Sequence, residues 1–424
     1  MTSVSEPLQL LRAGRLAEAE RAYERLLEQS PNDLQALNMV ALAALRTGRP
    51  KRALDLLERA LKVDSQDAPT QFHLARAHEA CGNLAAALAA YADALRLKPD
   101  FHLARLHRAA ALERAGDPRG ALVNFARALK EAQHEGRWTN SATTPQSLRP
   151  LVEHAARKVR SGRHELFFGL LEPLAQRYGR AALARVERCL RIHLVEEPVE
   201  YADPRQQPTF LYFPGPPASA YPDRSLFPWI ADLEARTAVI RDELLGVLGS
   251  EAGRERVFTS DELEQQNLRG LAEPPSWTGY YFYRHGERRE GNCSSCPQTV
   301  RALEALPLAR VPAHAPEVLF SVFTPGTQLL PHRGVTNTRL VGHLPLIVPE
   351  NCALSVGGEV HEWQQGRVVV FDDTYEHEAW NRSDRTRVVL IFDLWHPALS
   401  AAEREAVSAL VVALGDFRVA MEQA

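Results

Sequence analysis

Cysteine is scarce in this sequence of 424 residues, and no excess of basic charge is present. Five cysteines, an odd number, cannot form the disulfide framework of a secreted domain, so we expect a reducing compartment. The chain carries 50 Lys and Arg against 53 Asp and Glu, a net charge of −3. It therefore has no global basic excess with which to neutralise a phosphate backbone, and nucleic acid is not an expected partner.

Long apolar runs are also missing. No stretch reaches the roughly 18 apolar residues that a transmembrane helix requires. The first twenty residues have no basic segment followed by an apolar one, as a secretory leader would. We therefore expect a cytoplasmic protein without membrane association. The length favours about two to three domains at roughly 150 residues each.

Four glycines recur at intervals of 34 residues in the first third of the chain. An alanine follows each glycine after five residues, a bulky apolar residue four positions later, and Leu or Ala three positions after that. Positions i, i+4 and i+7 form one stripe of a helix, which predicts a repeated helical unit. The residues are Gly14, Gly48, Gly82 and Gly116; Ala19, Ala53, Ala87 and Ala121; Tyr23, Leu57, Tyr91 and Phe125; and Leu26, Ala60, Ala94 and Ala128.

This array resembles tetratricopeptide repeats (TPR) over about residues 5–133, and we assign residues 1–133 to it. The resemblance implies two helices per unit with the glycine in the turn between them. One helix pair cannot bury its stripe alone, so stacked pairs build a continuous core and leave a groove. The groove implies binding of a peptide or partner protein; a rigid spacer or a dimerisation surface is the alternative.

The character of the chain changes after the repeats. Helical periodicity predicts a helical connector over residues 134–205. From residue 206 to 398, short β-branched and aromatic runs separated by Gly, Pro and Asn predict an antiparallel sandwich or barrel with one helical stretch outside it. Residues 399–424 are expected to form a closing helix. The runs are FLYF, GYYFY, VLFSVF, RLVGHLPLIV, RVVVF and TRVVLIFDLW, and the outer helical stretch is LFPWIADLEARTAVIRDELLGVL.

Two histidines stand in unusual contexts within this second region. His332, in PHRGVTN, lies at the end of a predicted strand, and His377, in VVVFDDTYEHEAW, lies just after another. Imidazoles from two strands of one small barrel can converge on a metal, and neutral imidazole suits Fe, Zn, Cu and Ni. On spacing alone, surface or core histidines are the commoner interpretation of such a pair.

The segments SVFTPGTQLLPHRGVTN and GRVVVFDDTYEHEAWNRSDRTRVVLIFDLWHP resemble the catalytic core of the aspartyl/asparaginyl β-hydroxylase family, over about Pro208 to Pro397. The resemblance implies an Fe(II)- and 2-oxoglutarate-dependent dioxygenase on a double-stranded β-helix, the jelly-roll or cupin-like fold. A TPR-like helical region often precedes the catalytic domain in this family. The expected fold class is therefore α+β multidomain, with an N-terminal α-helical TPR solenoid and a double-stranded β-helix catalytic domain.

The resemblance also implies roles for individual residues. His332 and His377 become the iron ligands, and Gly334 stands where most related oxygenases carry a third, carboxylate ligand, which this family lacks. Arg387 matches the position that binds the distal carboxylate of 2-oxoglutarate, where a planar guanidinium can bind in a bidentate manner. Ser321 matches the hydroxyl donor to the same carboxylate.

Four acidic residues near His377 are interpreted as turn residues or as residues around the ligands, and not as metal ligands themselves. They are Asp372, Asp373, Glu376 and Glu378.

One family position is changed in this chain. His343 matches a residue near the iron-side carboxylate of 2-oxoglutarate, with a purely structural histidine as the alternative. The family arginine that helps to hold that carboxylate falls at Val341. Residues 339, 341 and 343 of a regular strand share a face, so we expect Arg339 to substitute for the lost charge.

The pair Cys293 and Cys296, in CSSC, invites a zinc or redox interpretation. A zinc site needs about four ligands and no second cysteine pair exists, while a thioredoxin-like motif needs a βαβ setting that is missing here. We expect loop cysteines near the substrate entrance.

The function implied by the resemblance is oxidative decarboxylation of 2-oxoglutarate coupled to hydroxylation, with Fe(II), 2-oxoglutarate and O2 as cofactor and co-substrates. The expected substrate is an Asp or Asn side chain of a polypeptide, hydroxylated at its β-carbon and held by the TPR groove. His332, His377 and Arg387 are the expected catalytic residues. Two alternatives are a hydroxylase of a lipid acyl chain or small molecule, and a non-catalytic TPR adaptor with a ligand-binding barrel.

Overall fold

The computed structural model describes residues 5–249, 252–258, 268–269 and 277–424. It divides into two compact units. The first contains the chain up to Arg163 together with Asp416–Ala424, and the second contains His164–Gly415. The predicted domain boundaries after residues 133, 205 and 398 are finer than this division and stay predictions.

Eight helices in antiparallel pairs form most of the first unit. They are α1 (Ser5–Arg12), α2 (Leu16–Gln29), α3 (Leu34–Arg46), α4 (Pro50–Val63), α5 (Ala68–Ala80), α6 (Leu84–Leu97), α7 (His102–Arg114) and α8 (Pro118–His134).

The four repeated glycines lie in the turns between paired helices. Gly14, Gly48, Gly82 and Gly116 have φ angles of 71°, 69°, 77° and 84°. This left-handed region is open to glycine at no steric cost and is unfavourable for other residues, which explains why glycine recurs at this place in each repeat. The predicted helix–turn–helix repeat is confirmed.

The repeated apolar stripe is buried as its spacing predicts. Ala53, Leu57 and Ala60 of α4 are each 0% exposed, as are Ala87, Tyr91 and Ala94 of α6. Alanine at two of these three positions lets neighbouring helices approach closely, while the third, larger residue fills the space between pairs. The residues pack in a series of apolar clusters along the repeats.

Seven further helices follow the repeats in the described part of the chain. They are α9 (Arg149–Tyr178), α10 (Ala184–His193), α11 (Ile230–Glu234), α12 (Thr237–Leu248), α13 (Glu290–Ser295), α14 (Pro297–Glu304) and α15 (Ala401–Gln423), with short 3-10 turns at Arg180–Leu183 and Arg224–Leu226. Of the helices in the described part of the chain, none combines the length and apolar composition that crossing a bilayer requires.

Twelve strands are found in the described residues, and all ladder pairs between them are antiparallel. They are β1 (Arg254–Arg256), β2 (Leu268–Arg269), β3 (Trp277–Arg284), β4 (Glu287–Arg288), β5 (Val318–Phe323), β6 (Gln328–His332), β7 (Arg339–Ile347), β8 (Cys352–Val356), β9 (Glu359–Glu362), β10 (Val369–Phe371), β11 (His377–Asn381) and β12 (Arg387–Trp395).

The strands form two sheets. A seven-stranded sheet has the order β1-β3-β5-β12-β7-β10, with β4 paired to β3, and a five-stranded sheet has the order β2-β6-β11-β8-β9. The predicted antiparallel β region is confirmed, with one exception: the run FLYF forms no strand, and its Leu211 makes only an isolated bridge to Thr336. An apolar run of four residues is too short to distinguish a strand from a buried extended segment.

Each face of the seven-stranded sheet has its own core. One face packs against the helices, in a cluster that contains Ile240 and Leu244 of α12 and Leu303 of α14. The other face meets the five-stranded sheet, and Val389 of β12 packs there in one cluster with Leu354 of β8. The predicted site residues lie in or beside this second core, between the sheets.

Candidate active site

The two histidines predicted to bind iron lie next to each other. His332 is the last residue of β6 and His377 is the first residue of β11, and the two are direct partners across this antiparallel pair. Their ring centroids are 4.1 Å apart, with the ring planes tilted by 50°. The ladder shifts register immediately after His377, so regular pairing ends at the histidine pair.

Both rings are held by the same kind of hydrogen bond. His332 Nδ1 lies 2.8 Å from the carbonyl oxygen of Leu330, and His377 Nδ1 lies 3.1 Å from that of Tyr375. A carbonyl oxygen only accepts hydrogen bonds, so in both rings Nδ1 carries the proton. Nε2 then holds the lone pair, which is the arrangement that a metal-ligating histidine requires.

The surroundings keep both rings neutral. Burial lowers the pKa of His332, and burial together with the neighbouring His332 lowers the pKa of His377 to about 3. A protonated imidazole has no lone pair to offer a metal, so these environments favour the form that can coordinate one.

A carboxylate fills the space beside Gly334. A Cβ atom built on Gly334 would overlap the side-chain carboxylate of Asp373. Asp373 is 7% exposed, its Oδ1 has no hydrogen-bond partner among the described residues, and burial raises its pKa to about 7. The backbone holds the two residues together, because Gly334 N donates to Asp373 O at 2.6 Å. The Asp373 carboxylate thus fills the space that the Cβ atom of any other residue at position 334 would need.

The other acidic residues near His377 have different partners. Asp372 accepts hydrogen bonds from Gln206 Nε2 at 2.5 Å and from Thr374, and so holds the turn between β10 and β11. Glu378 accepts one from Gln328 Nε2 at 2.9 Å, and Glu376 is exposed. In the part of the chain that the structure describes, no group of three or more His, Cys, Asp or Glu is placed to hold a metal.

Arg387, the first residue of β12, is buried without an anionic partner among the described residues. It is 1% exposed, and burial lowers its pKa to about 9. Its guanidinium carbon lies 3.8 Å from the ring centroid of Phe323 and 4.7 Å from that of Trp363, and Nη1 donates to Ser321 Oγ at 3.2 Å. Nε has no hydrogen-bond partner in the described residues. A buried cation with only neutral neighbours is costly, and a bound carboxylate would compensate it.

Ser321 lies opposite β12 in the centre of β5 and is 0% exposed. Its Oγ accepts a hydrogen bond from Trp277 Nε1 at 2.9 Å in addition to that from Arg387. Because the oxygen accepts both, the hydroxyl hydrogen remains available for a further acceptor beside the guanidinium.

His343 faces the same inter-sheet space. Its ring packs edge-on against Phe371, with centroids 4.9 Å apart, and Phe371 in turn lies 5.7 Å from His377. His343 is 5% exposed, burial and the nearby Arg387 hold its pKa well below the usual range, and its Nδ1 has no hydrogen-bond partner in the described chain.

Arg339 lies on this face of β7 but already has a partner. Its Nη1 donates to Asp393 Oδ2 at 2.7 Å, and Asp393 is 3% exposed. Val341, which stands between Arg339 and His343, is paired with Asp393 in the ladder and packs in the inter-sheet core. The substitution of Arg339 for the family arginine stays a prediction, and any role with 2-oxoglutarate would be shared with this ion pair.

The structure corrects the expectation for the cysteine pair. Cys293 lies in α13 and Cys296 between α13 and α14, where they are 3% and 0% exposed and pack in the core on the helix side of the large sheet. Burial raises the pKa of both thiols, that of Cys296 to about 12. They are core residues and not loop residues at a substrate entrance.

Two residues of this site were not predicted. Trp363 packs on Arg387, and no motif or periodic spacing in the sequence indicates that these two residues are in contact. Asp393 pairs with Arg339, and a signal for it exists: an acidic residue in the run RVVLIFDLW, on the same face as Arg387, requires a buried partner.

Comparison with known proteins identifies both parts of the chain. Residues 234–397 match the sequence profile of the aspartyl/asparaginyl beta-hydroxylase family, and residues 8–69 and 44–113 match tetratricopeptide repeat profiles. The chain is 34% identical to the human aspartyl/asparaginyl beta-hydroxylase over 182 residues, which are 43% of this chain and 23% of that protein.

Two further relatives have different names. An ornithine lipid ester-linked acyl 2-hydroxylase of Rhizobium tropici is 36% identical over 183 residues, 42% of this chain and 62% of that protein. Aspartate beta-hydroxylase domain-containing protein 2 of Xenopus tropicalis is 30% identical over 256 residues, 59% of this chain and 66% of that protein. The chain thus spans less than two thirds of each of these relatives, and less than a quarter of the human protein.

Proposed function

We propose that this chain, whose residues 234–397 form an aspartyl/asparaginyl beta-hydroxylase family domain preceded by tetratricopeptide repeats, is an Fe(II)- and 2-oxoglutarate-dependent dioxygenase. One observation carries the proposal: two neutral imidazoles with the same Nδ1 hydrogen bonding lie side by side between two sheets, which also bury a guanidinium without an anionic partner among the described residues. A metal and a dicarboxylate would complement these two features.

The residues present fit a metal with open positions. His332 and His377 would hold it through Nε2, and with only two protein nitrogens most of its coordination positions are free for small ligands. Bound Fe(II) supplies the activation of O2 for which no amino-acid side chain is competent.

The protein positions the co-substrate. The guanidinium of Arg387 and the hydroxyl of Ser321 form a cation-and-donor site for one carboxylate of 2-oxoglutarate. His343 connects the two ends of the site through ring contacts, to Trp363 beside Arg387 and to Phe371 beside His377, and it would contact the other end of this five-carbon diacid. Burial between the sheets excludes water from the reacting groups.

We also propose that the inter-sheet region is a double-stranded β-helix. Eight strands between Val318 and Trp395 are divided equally between the sheets: β5, β7, β10 and β12 belong to one, and β6, β8, β9 and β11 to the other. This distribution is expected of a jelly-roll or cupin-like barrel.

The proposed substrate is an Asp or Asn residue of a protein or peptide, hydroxylated at its β-carbon. Support comes from the family of the catalytic domain and from the repeats, whose stacked helix pairs form a surface suited to an extended polypeptide. The repeats would bind the substrate polypeptide and raise its local concentration at the site.

A lipid acyl chain is the second candidate, because the acyl 2-hydroxylase of Rhizobium tropici is 36% identical to this chain. Mass spectrometry of peptides and lipids from the host, with and without the gene, distinguishes the two candidate substrates. A gain of one oxygen atom in peptides supports the first proposal, whereas a gain only in lipids replaces it with the second.

Metal and co-substrate binding are tested without a substrate. Purified protein, mixed with Fe(II) and 2-oxoglutarate in the absence of O2, should show a visible charge-transfer absorption band, and in O2 it should release succinate. His332→Ala and His377→Ala should abolish both signals, whereas His134→Ala, an exposed residue of α8, should retain them. Wild-type signals in either site variant would refute the ligand assignment.

A further inference from the structure

Three buried polar atoms without hydrogen-bond partners in the described residues belong to side chains that touch each other. They are Trp363 Nε1, Arg387 Nε and His343 Nδ1, on side chains that are 6%, 1% and 5% exposed. Buried polar atoms are paired in the great majority of cases, so three orphans in one contact network point to a ligand with several oxygen acceptors.

Trp363 is the centre of this network. It follows β9 directly, and its ring centroid lies 4.7 Å from the guanidinium carbon of Arg387 and 5.8 Å from the centroid of the His343 ring. The guanidinium thus contacts two aromatic rings, since the centroid of the Phe323 ring lies 3.8 Å from the same carbon. Trp363 thus connects the two places at which the ends of a diacid would be bound.

The charges around this network are unevenly distributed. Arg387 is a cation without an anion among the described residues, whereas Arg339 on β7 is already paired with the buried Asp393 at 2.7 Å. Val341 brings no charge. The neutral donors of Trp363 and His343 are therefore the candidates for the iron-side end of a diacid, although the paired Arg339 also keeps one buried donor, Nε, without a partner among the described residues.

We propose that Trp363 is a co-substrate-binding residue. Its ring face fixes the Arg387 guanidinium, and its Nε1–H donates a hydrogen bond to a carboxylate oxygen of 2-oxoglutarate. Trp363 and His343 together hold the iron-side end of this co-substrate. This inference rests on the proposed function. In this proposal, neutral donors take the place of the family arginine that is missing at Val341, and no other cation replaces it.

The proposal has a specific thermodynamic consequence. In the free protein the buried Trp363 N–H has no hydrogen-bond partner among the described residues, whereas in the complex it would donate to a charged acceptor. Trp363→Phe keeps an aromatic face for the guanidinium. It removes only the N–H donor and one of the two fused rings of the indole. It should therefore weaken 2-oxoglutarate binding more than it perturbs the free protein.

The test measures equilibrium binding of 2-oxoglutarate by calorimetry, with Mn(II)-loaded protein in the absence of O2. Trp363→Phe should weaken binding about tenfold or more, the usual effect of losing a hydrogen bond to a charged group. Trp363→Leu, which also removes the stacked ring, should weaken it further. Thermal unfolding of each ligand-free variant reports whether the fold is retained.

The matched control is Trp229→Phe. Trp229 is partly buried and packs on Phe392 and Phe227 on the helix side of the large sheet, away from the inter-sheet space. It should bind 2-oxoglutarate as the wild type does. If Trp363→Phe binds 2-oxoglutarate as tightly as the wild type, or if both Trp→Phe variants weaken binding equally, the proposed role of Trp363 is wrong. Either result would leave the proposed function of the chain untouched. Absence of binding by the wild type would instead refute the proposed function.

Discussion

The buried charge of Arg387 should cost the free protein more free energy than it costs the complex with a carboxylate ligand. Desolvation of a buried ion costs several kcal/mol. The two rings around the guanidinium return about 2 kcal/mol each at best, and the hydrogen bond to Ser321 about 1 kcal/mol. The balance is close, and a carboxylate ligand would shift it in favour of the charged form.

Arg387→Met should therefore raise the free energy of unfolding of the ligand-free protein, by about 1 kcal/mol, while eliminating 2-oxoglutarate binding. Urea denaturation measures the first effect and calorimetry the second. Arg185→Met is the control, because Arg185 makes two hydrogen bonds of 2.7 Å to the buried Glu403 and its loss should destabilise. Equal destabilisation by both variants would show that Arg387 is stabilised by its protein contacts alone.

Gly334 and Asp373 provide a second test at this scale. Gly334→Ala places a methyl group in the space of the Asp373 carboxylate, and a short, buried side chain has little room to move. We expect a loss of about 1–3 kcal/mol in the free energy of unfolding, as for other overpacked sites.

A double-mutant cycle isolates this contact. Adding Asp373→Ala should relieve most of the cost of Gly334→Ala, so that the two effects are strongly non-additive in urea denaturation. Gly246→Ala in α12, where a Cβ meets nothing within 4 Å, should be neutral or stabilising. Additive effects at positions 334 and 373 would mean that the new methyl group does not press on the Asp373 carboxylate.

At the scale of elements, the Arg339–Asp393 pair joins β7 to β12 at the end of the ladder where both strands face the inter-sheet space. Breaking a buried ion pair leaves an uncompensated charge, whereas replacing both partners with apolar residues is often neutral. Arg339→Leu should thus lower the free energy of unfolding by about 3–5 kcal/mol, and Asp393→Leu in the same chain should restore most of it.

The same variants test the role of Arg339 with the co-substrate. If the pair is purely structural, the double variant binds 2-oxoglutarate with unchanged affinity in the calorimetric assay. A large loss of affinity in the stable double variant would show that Arg339 contacts the co-substrate, as expected from the substitution at Val341.

The elements differ in how well the sequence predicts them. The sequence predicts the repeats down to the position of the glycine in each turn. This is possible because the 34-residue period and the positive φ at each glycine are requirements of the local chain. FLYF was not predictable, since whether a short apolar run pairs as a strand depends on neighbours that are distant in the chain. The burial of Cys293 and Cys296 depends similarly on packing of α13 and α14 against the large sheet.

The site shows the same division. His332 and His377 were found from motif resemblance, and their pairing on adjacent strands follows from antiparallel register. Asp373 was also expected around the ligands, but its contact with Gly334 and the contact of Trp363 with Arg387 were not predicted, because only the folded sheets bring these residues together. Sequence patterns report the residues that carry chemistry more readily than the residues that pack around them.

At the scale of the whole molecule, the two compact units have separate apolar cores: the repeat clusters in one and the clusters on both faces of the large sheet in the other. A ligand that binds only one unit stabilises that unit by mass action, by about 2.7 kcal/mol at a free concentration of 100 times its Kd. This is about a 100-fold change in the equilibrium for opening.

Saturating 2-oxoglutarate and Mn(II), without O2, should therefore slow amide hydrogen exchange about 100-fold in the most protected amides of β5 and β12, and leave α3 to α6 of the repeats unchanged. Arg387→Met should show no change in either unit. Equal slowing in the repeats would mean that both units open together, so that co-substrate binding also stabilises the surface proposed to hold the polypeptide. Slowing confined to the catalytic unit would instead leave the repeats free to bind a polypeptide whether or not the co-substrate is present.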